Sequence, residues 1–529
     1  MPKPKQFLKE NKKKSKHAPS VPTTADEYLA AGVDFEEAGE KWRGGDAAKS
    51  TRFFVRAIDC YEEALKKFPY SFDLAYNKAR LQYELTQHPK LLQQLPGSLL
   101  ELLQTAIESS RYALKLNGQN ADVLFNTAQA LTSFVEALQD ASNATDPLPF
   151  LEEALDLFQK CLEHQELQHQ EFEEQSAAAA AMGPQEIDMD DGGVSLTNDS
   201  TMDFESEVGW NMKIPFFLMN PLNGGIMLIR HFPATPSTNR ALPLDMPSSL
   251  AQVEDDRWAT IIEPVTNSSL LDTLLAQLRT LSLLCSLLPV RSGPALNFIQ
   301  SYATPILSSK LDAYCTDTGR DIEAIIARDD YLSSLSDLQF RNGLLSVKEY
   351  SEQVNSLYTF PSLNTHPEAL VKSAESLLTL HHNLLPSPSP ETLPLSWTAL
   401  STALTSLTTA SKLPDVENLA AVHILRGDVE MLRYQMGVPP PPQGWEIATK
   451  SADVLLKNAE VFYRGGKNVA SAAGEEGVVM EGRVKEAVVK GVRGDGVGMR
   501  GLLGGIGGEA VEGGVFTAGQ LQGLGISGL

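Results

Sequence analysis

Three stretches of this chain repeat one spacing of small and large side chains: Ala57-x3-Tyr61-x2-Ala64, Ala106-x3-Ser110-x2-Ala113 and Ala154-x3-Phe158-x2-Cys161. Positions four and seven apart return to one side of a helix with 3.6 residues per turn. Each stretch is therefore predicted to be a helix whose small residues let a second helix come close, with Tyr61 or Phe158 filling the space between them. A longer interval recurs as well. Asn77 and Ala79 follow Ala57 by 20 and 22 residues, and Asn126 and Ala128 follow Ala106 by the same two intervals. A helical unit that returns in this way leaves an apolar face that only its neighbour covers, so the units must stack.

The pattern resembles the tetratricopeptide repeat (TPR), a helix-turn-helix unit of about 34 residues. The resemblance runs over residues 26–175. Gly45-Asp46 matches the turn inside the pair, Ala57, Tyr61 and Ala64 the second helix, Pro69 its stop, and Tyr76, Asn77 and Ala79 the next first helix. The packing positions it implies are Ala57, Tyr61, Ala64, Ala79, Ala106, Ala113, Ala128, Ala154, Phe158 and Cys161. Two turns depart from the family by their length: 86–98, which carries Pro89 and Pro96, and 141–147, which ends on Pro147. The fold class expected is all-α, a TPR-like helix-turn-helix solenoid with disordered tails and a disordered acidic insertion.

Charge divides the chain into zones. Residues 1–16 hold seven lysines against Glu10, whereas 165–212 hold twelve acidic residues and no Lys or Arg, within a total of −23. High charge with few large apolar groups cannot offset the entropy of ordering, so the acidic stretch is expected to be disordered. Next comes Trp210 to Arg240, with Ile214-Pro215-Phe216-Phe217 and Asn223-Gly224-Gly225. It fits no helix pair; an interaction segment, a structurally idle insertion and a translated intron all remain open. Helical spacing returns at Asp256-Arg257-Trp258 and continues to Tyr463, with Arg341-Asn342-Gly343 and Arg426-Gly427-Asp428 read as turns like Arg43-Gly44-Gly45-Asp46. Pro439 to Pro442 reads as a spacer. The expected divisions are a basic tail at 1–24, a TPR-like domain at 25–175, an acidic insertion at 176–255, a degenerate helical region at 256–465 and a glycine-rich tail at 466–529.

Chemistry is sparse. His164 and His169 are five apart and His381 and His382 adjacent, and neither spacing puts two imidazoles on one helical face. Gly496-x-Gly498-x-x-Gly501 lacks the strand and helix that a dinucleotide site requires. The four cysteines, Cys60, Cys161, Cys285 and Cys315, form no Cys-x-x-Cys pair and read as buried thiols of a reduced compartment. The apolar stretch from Leu270 to Leu288 contains Asp272, Gln277 and Arg279 and reads as a core helix rather than a membrane span. Neither catalysis nor a cofactor nor a metal is expected.

The resemblance also points to a groove. TPR domains hold acidic C-terminal tails of heat-shock chaperones with a carboxylate clamp of Lys, Arg and Asn on successive first helices. Here the corresponding positions fall on Phe35, Gly39, Asn77, Asp122 and Asn126, so one clamp group of five survives and Asp122 replaces a cation. Asn77, Asp122 and Asn126 are the candidate groove contacts, and a carboxylate ligand facing Asp122 would be repelled. The function expected is a cytoplasmic or nuclear protein-binding adaptor, an assembly chaperone for a basic client. A scaffold subunit of a larger complex is the alternative. RNA association through the lysine tail ranks below both, because the rest of the chain is acidic.

Overall fold

The computed structural model describes residues 22–140, 145–181, 264–290, 292–414, 416, 418–438, 445–494, 511 and 513–523. Among these, every regular element is a helix and none is a strand. The lysine tail up to residue 21, the insertion from 182 to 263 with its Trp210–Arg240 segment, the proline run at 439–442 and Gly496-x-Gly498-x-x-Gly501 lie outside the described residues.

The first compact unit ends at Cys161. It holds α1 (Ala25–Arg43), α2 (Ala47–Lys67), α3 (Phe72–Thr86), the single turn α4 (Pro89–Leu92), α5 (Leu99–Leu116), α6 (Ala121–Asp140) and the start of α7 (Leu148–Ala181). Caps explain several of the boundaries. Thr24 and Ser98 open α1 and α5 with capping boxes closed by Glu27 and Glu101. Asp46 caps α2 by accepting the Lys49 backbone N–H at 2.9 Å, so Gly44-Gly45-Asp46 is the turn between α1 and α2. The long turn between α3 and α5 is partly filled by α4, with Pro89 at its first position and Leu91 buried.

The helices form pairs. α1 packs on α2 and α3 on α5, while α6 meets α7 through Phe125 and Phe158, 5.7 Å apart and edge to face, and through Phe134 and Phe150 at 5.0 Å. The ten packing residues named above are all buried, Ala57, Tyr61, Ala64, Ala106, Ala113, Ala128, Ala154 and Cys161 with no exposure at all. In α1 their counterparts are glycines. A Cβ at Gly32 would lie 2.8 Å from the Tyr61 hydroxyl oxygen, and one at Gly39 would lie 2.8 Å from Phe54 Cε1.

The second unit begins at Leu162, inside α7 and not at the expected 175/176 border. The reason is visible in side-chain partners after Cys161: Gln165 accepts from Thr273 Oγ1 at 2.7 Å, and His169 Nδ1 lies 2.8 Å from the Val265 carbonyl. The unit continues with α8 (Asn267–Leu287), α9 (Gly293–Pro305), a π turn (Ile306–Lys310), α10 (Leu311–Cys315), α11 (Asp321–Arg341), α12 (Val347–Ser356), a 3-10 turn (Pro361–Thr365), α13 (Pro367–Leu384), α14 (Thr392–Ala410), α15 (Leu419–Gln435), α16 (Ile447–Ala473), α17 (Glu476–Val492) and α18 (Ala518–Gly523). α8 is long and apolar enough to cross a membrane by length and composition. It packs on α11, and Leu270, Leu271, Leu274, Leu278 and Leu281 have no exposed surface. α13 pairs with α14, α15 with α16, and α16 with α17.

Three expectations are corrected here. The acidic stretch expected to be disordered from 165 is helical as far as Ala181, where α7 ends. Arg426-Gly427-Asp428 is not a turn: it lies within α15, where Gly427 faces Tyr463 of α16. The chain beyond 466 is not a loose glycine-rich tail either. α16 runs on to Ala473, α17 follows, and Val484, Val488, Val489, Val515, Phe516 and Leu521 join the core. Glycine serves here as a packing residue. A Cβ at Gly466 would lie 2.9 Å from the Ala420 carbonyl oxygen, and one at Gly482 would lie 3.2 Å from the Tyr463 carbonyl oxygen, so both allow backbones to approach. The spacing of the first unit recurs as Ala403-x3-Leu407-x2-Ala410 in α14 and Ala459-x3-Tyr463-x2-Gly466 in α16, all buried.

Candidate protein-interaction face of the N-terminal unit

α1, α3 and α6 are the first helices of the three pairs, and α3 touches both α1 and α6. The face they share therefore collects residues far apart in sequence. Asn77 lies on α3, where its amide donates to the Asp73 carbonyl one turn back at 2.9 Å. Asn126 lies on α6 and donates to Tyr76 Oη at 3.1 Å. Tyr76 is pushed up to about 12 by burial and by the charge of Asp122. Asn126 and Asp122 of α6 thus gather at Tyr76 of α3, while Asn77, next to Tyr76 in the chain, turns to Asp73 and Arg80 instead. Asp122 stands exposed at the rim, and desolvation raises its carboxyl above the usual range.

Beside this patch lies a charged network with no counterpart in the sequence reading. Arg80 of α3 donates to Glu36 of α1, to Glu84 at 3.0 Å and to Asn77 Oδ1 at 3.4 Å. Glu36 also accepts the Tyr61 hydroxyl at 2.6 Å. Arg43, at the end of α1, pairs with Glu84 at 3.3 Å and Glu40 at 2.9 Å, and donates to His88 Nε2 at 3.0 Å. Since a guanidinium only donates, His88 accepts through Nε2 and carries its proton on Nδ1. Burial and the Arg43 charge lower the His88 pKa and keep the ring neutral.

Burial works against both kinds of charge in this network. It opposes the cation on Arg80, but Glu36 and Glu84 more than offset it and the pKa rises. It raises Glu84 and Glu40 against the pull of the arginines. The network holds three carboxylates, Glu36, Glu40 and Glu84, and two guanidinium groups, both already engaged. A carboxylate ligand arriving here would have to compete with side chains held in place by the fold, and it would meet a surplus of negative charge. The signal that could have located Arg80 is its place three residues after Asn77, one turn along the same helical face. Glu36, 44 residues away from Arg80, shows no such periodicity.

No family model matches the chain. The UPF0656 protein C926.02 of Schizosaccharomyces pombe is 31% identical over 166 residues, 31% of this chain and 35% of the relative. The uncharacterized protein YNL193W of Saccharomyces cerevisiae is 26% identical over 228 residues, 37% of this chain and 40% of the relative. The chain thus matches well under half the length of either curated relative. Among solved structures, a circular tandem repeat protein with novel repeat topology and enhanced subunit contact surfaces aligns over 94% of both chains, at 11% identity and a TM-score of 0.29. That likeness is too slight to build on.

Proposed function

We propose that the protein is a non-enzymatic, TPR-like adaptor of the cytoplasm or nucleus that escorts a basic client protein. The observation that carries this reading is the charge balance on α1 and α3, where both arginines are neutralised by carboxylates of the fold and a surplus of acid remains. Asp122 extends that surplus on α6, and the chain as a whole carries −23. Acidic surfaces of this kind attract cationic partners over a screening length of about 8–10 Å near physiological ionic strength. The acidic residues at 186–207, beyond the end of α7, would add to the attraction.

A second reading, a permanent scaffold subunit, draws on exposed aromatics of the first unit. Tyr70 is 87% exposed and Trp42 36% exposed, and aromatics in such positions serve as anchors at interfaces. Capture of partners by the full chain and by a chain lacking 176–212, at rising salt, separates the two. The escort reading expects capture of a basic protein that weakens with salt and with the deletion. Capture of a fixed set of subunits, indifferent to both, overturns it and supports the scaffold.

A further inference from the structure

The last described segment, 513–523, is held through its main chain. It forms only the short α18, and its main chain is gripped by side chains of the surrounding helices. His382 Nε2 of α13 donates to the Gly513 carbonyl at 3.0 Å, and Gln435 Nε2 of α15 donates to the Val515 carbonyl at 3.0 Å. The same Gln435 amide reaches Gln520 Oε1 at 3.0 Å. Gly514 has a φ of +68°, and a Cβ there would lie 3.7 Å from both Leu385 Cδ1 and Leu432 Cδ2. Phe516 and Leu521 are the anchors, 2% and 0% exposed, with Val515 beside them at 7%.

The segment also organises itself. Thr517 and Gln520 cap each other, with Thr517 N donating to Gln520 Oε1 at 2.8 Å and Gln520 N to Thr517 Oγ1 at 3.3 Å. Side chains that read main-chain carbonyls, together with pockets for two anchors, are the means by which a groove holds a peptide. Sixteen residues, seven of them glycine, separate Gly494 from Val511.

We propose that the cleft lined by α13, α15 and α17 is a peptide-binding site that the chain's own segment 513–521 occupies in cis and can vacate. It is separate from the face on α1, α3 and α6 and does not depend on the adaptor reading. The ligand class is defined by the occupant: a short segment with a glycine in the left-handed conformation, adjacent β-branched and aromatic anchors, and a leucine five residues after the aromatic. Tethering of this kind gives effective concentrations on the order of mM, so free peptides of the same class are excluded until the segment leaves.

The test uses the full chain and a labelled synthetic peptide of residues 511–523, followed by fluorescence anisotropy. The wild-type chain should bind the peptide at least about tenfold more weakly than a Phe516→Asp chain, whose own segment no longer seats. A peptide carrying Phe516→Asp should not bind either chain. Hydrogen exchange on the wild-type chain supplies the second measurement: amides of 513–523 should open while those of α15 and α16 stay protected. The proposal fails if the Phe516→Asp chain keeps its helices but ignores the peptide. It fails equally if 513–523 exchanges only when α15 unfolds, since the segment is then ordinary core, or if the wild-type chain is a dimer that exchanges this segment between copies.

Discussion

The ring of Tyr463 rests on Gly427, so close that a Cβ there would lie 2.6 Å from Tyr463 Cδ1. Its hydroxyl donates to Asp428 at 2.8 Å, and Asp428 in turn accepts from Lys485 of α17 at 2.9 Å. The first unit contains the same arrangement with other residues: Tyr61 rests on Gly32, donates to Glu36, and Glu36 meets Arg80 of the following helix. In both places a glycine on one helix, a tyrosine on its partner and an acid-base pair tie three helices together.

Gly32→Ala and Gly427→Ala should each destabilise their own unit. Alanine gains about 1 kcal/mol of helix propensity over glycine, but overpacking costs about 1–3 kcal/mol, and here the obstacle is a fully buried ring. Gly477→Ala, in α17 with open space around its Cβ, should instead be neutral or stabilising. Urea denaturation checks all three, and a stabilised Gly427→Ala would remove the close approach as an explanation for the glycine.

Ala64→Trp and Ala113→Trp place an indole where no surface is exposed. Loss of cooperative unfolding in the N-terminal unit is expected for both, read by circular dichroism. Wild-type melting in both would show that these positions do not govern helix approach.

A peptide ending in an acidic carboxylate should show no heat of binding to the full chain at physiological salt, because Arg80 and Arg43 are already paired with Glu36, Glu84 and Glu40. Glu36→Gln combined with Glu84→Gln removes two of those acids while keeping acceptors for Tyr61 and Arg80. Titration calorimetry should then detect weak binding. Equal binding before and after would mean that the carboxylates do not set the charge preference of this face.

Acid should weaken the second unit in two windows. His381 is buried against Ser396, and burial, with the neighbouring His382, lowers its pKa from 6.5 to about 3. The unfolded chain takes up a proton below pH 6.5 that the folded chain refuses until about pH 3, so stability is full above 6.5 and falls as pH drops through that range, by at most about 1.4 kcal/mol per pH unit for this group. His382, lowered chiefly by burial, acts in the same direction. Glu486 opposes its burial with Lys467, Lys490 and Arg464 and is lowered to about 2, so its contribution is lost below pH 4.5. Denaturation midpoints between pH 7 and 4 should fall for wild type and fall less for His381→Gln; equal slopes would relieve His381 of the role.

Much of the first unit was legible because small residues at helical spacing and the turn at Gly45-Asp46 act locally. The second unit repeats the motif in α14 and α16, yet Gly466 and Gly482 belong to a glycine-rich stretch whose composition reads as a tail. Gly427-Asp428 has the residues of a helix start, and only the ring of Tyr463, 36 positions on, shows that the glycine is there for proximity. On the candidate face, Asn77 and Asn126 followed from the repeat interval. Arg80 with Glu36 did not, since a pair joining two first helices has no periodicity to reveal it.

The π turn at Ile306–Lys310 closes with the Leu311 backbone N–H on the Ile306 carbonyl, five residues back rather than four. Lys310, its last residue, and Tyr314, one turn beyond, both reach Glu166 Oε1 at 2.6 Å. A wide turn of this kind accommodates one residue more than an α-helix does. Deleting one residue, Ser308 for instance, would let an ordinary α-helix form with the side chains after it in their present phase, whereas an α-helix that kept all five residues would swing every side chain after it by about 100° about the axis. The lysine and the tyrosine would leave Glu166 together, so the reading frame of this helix surface is set by a single extra residue.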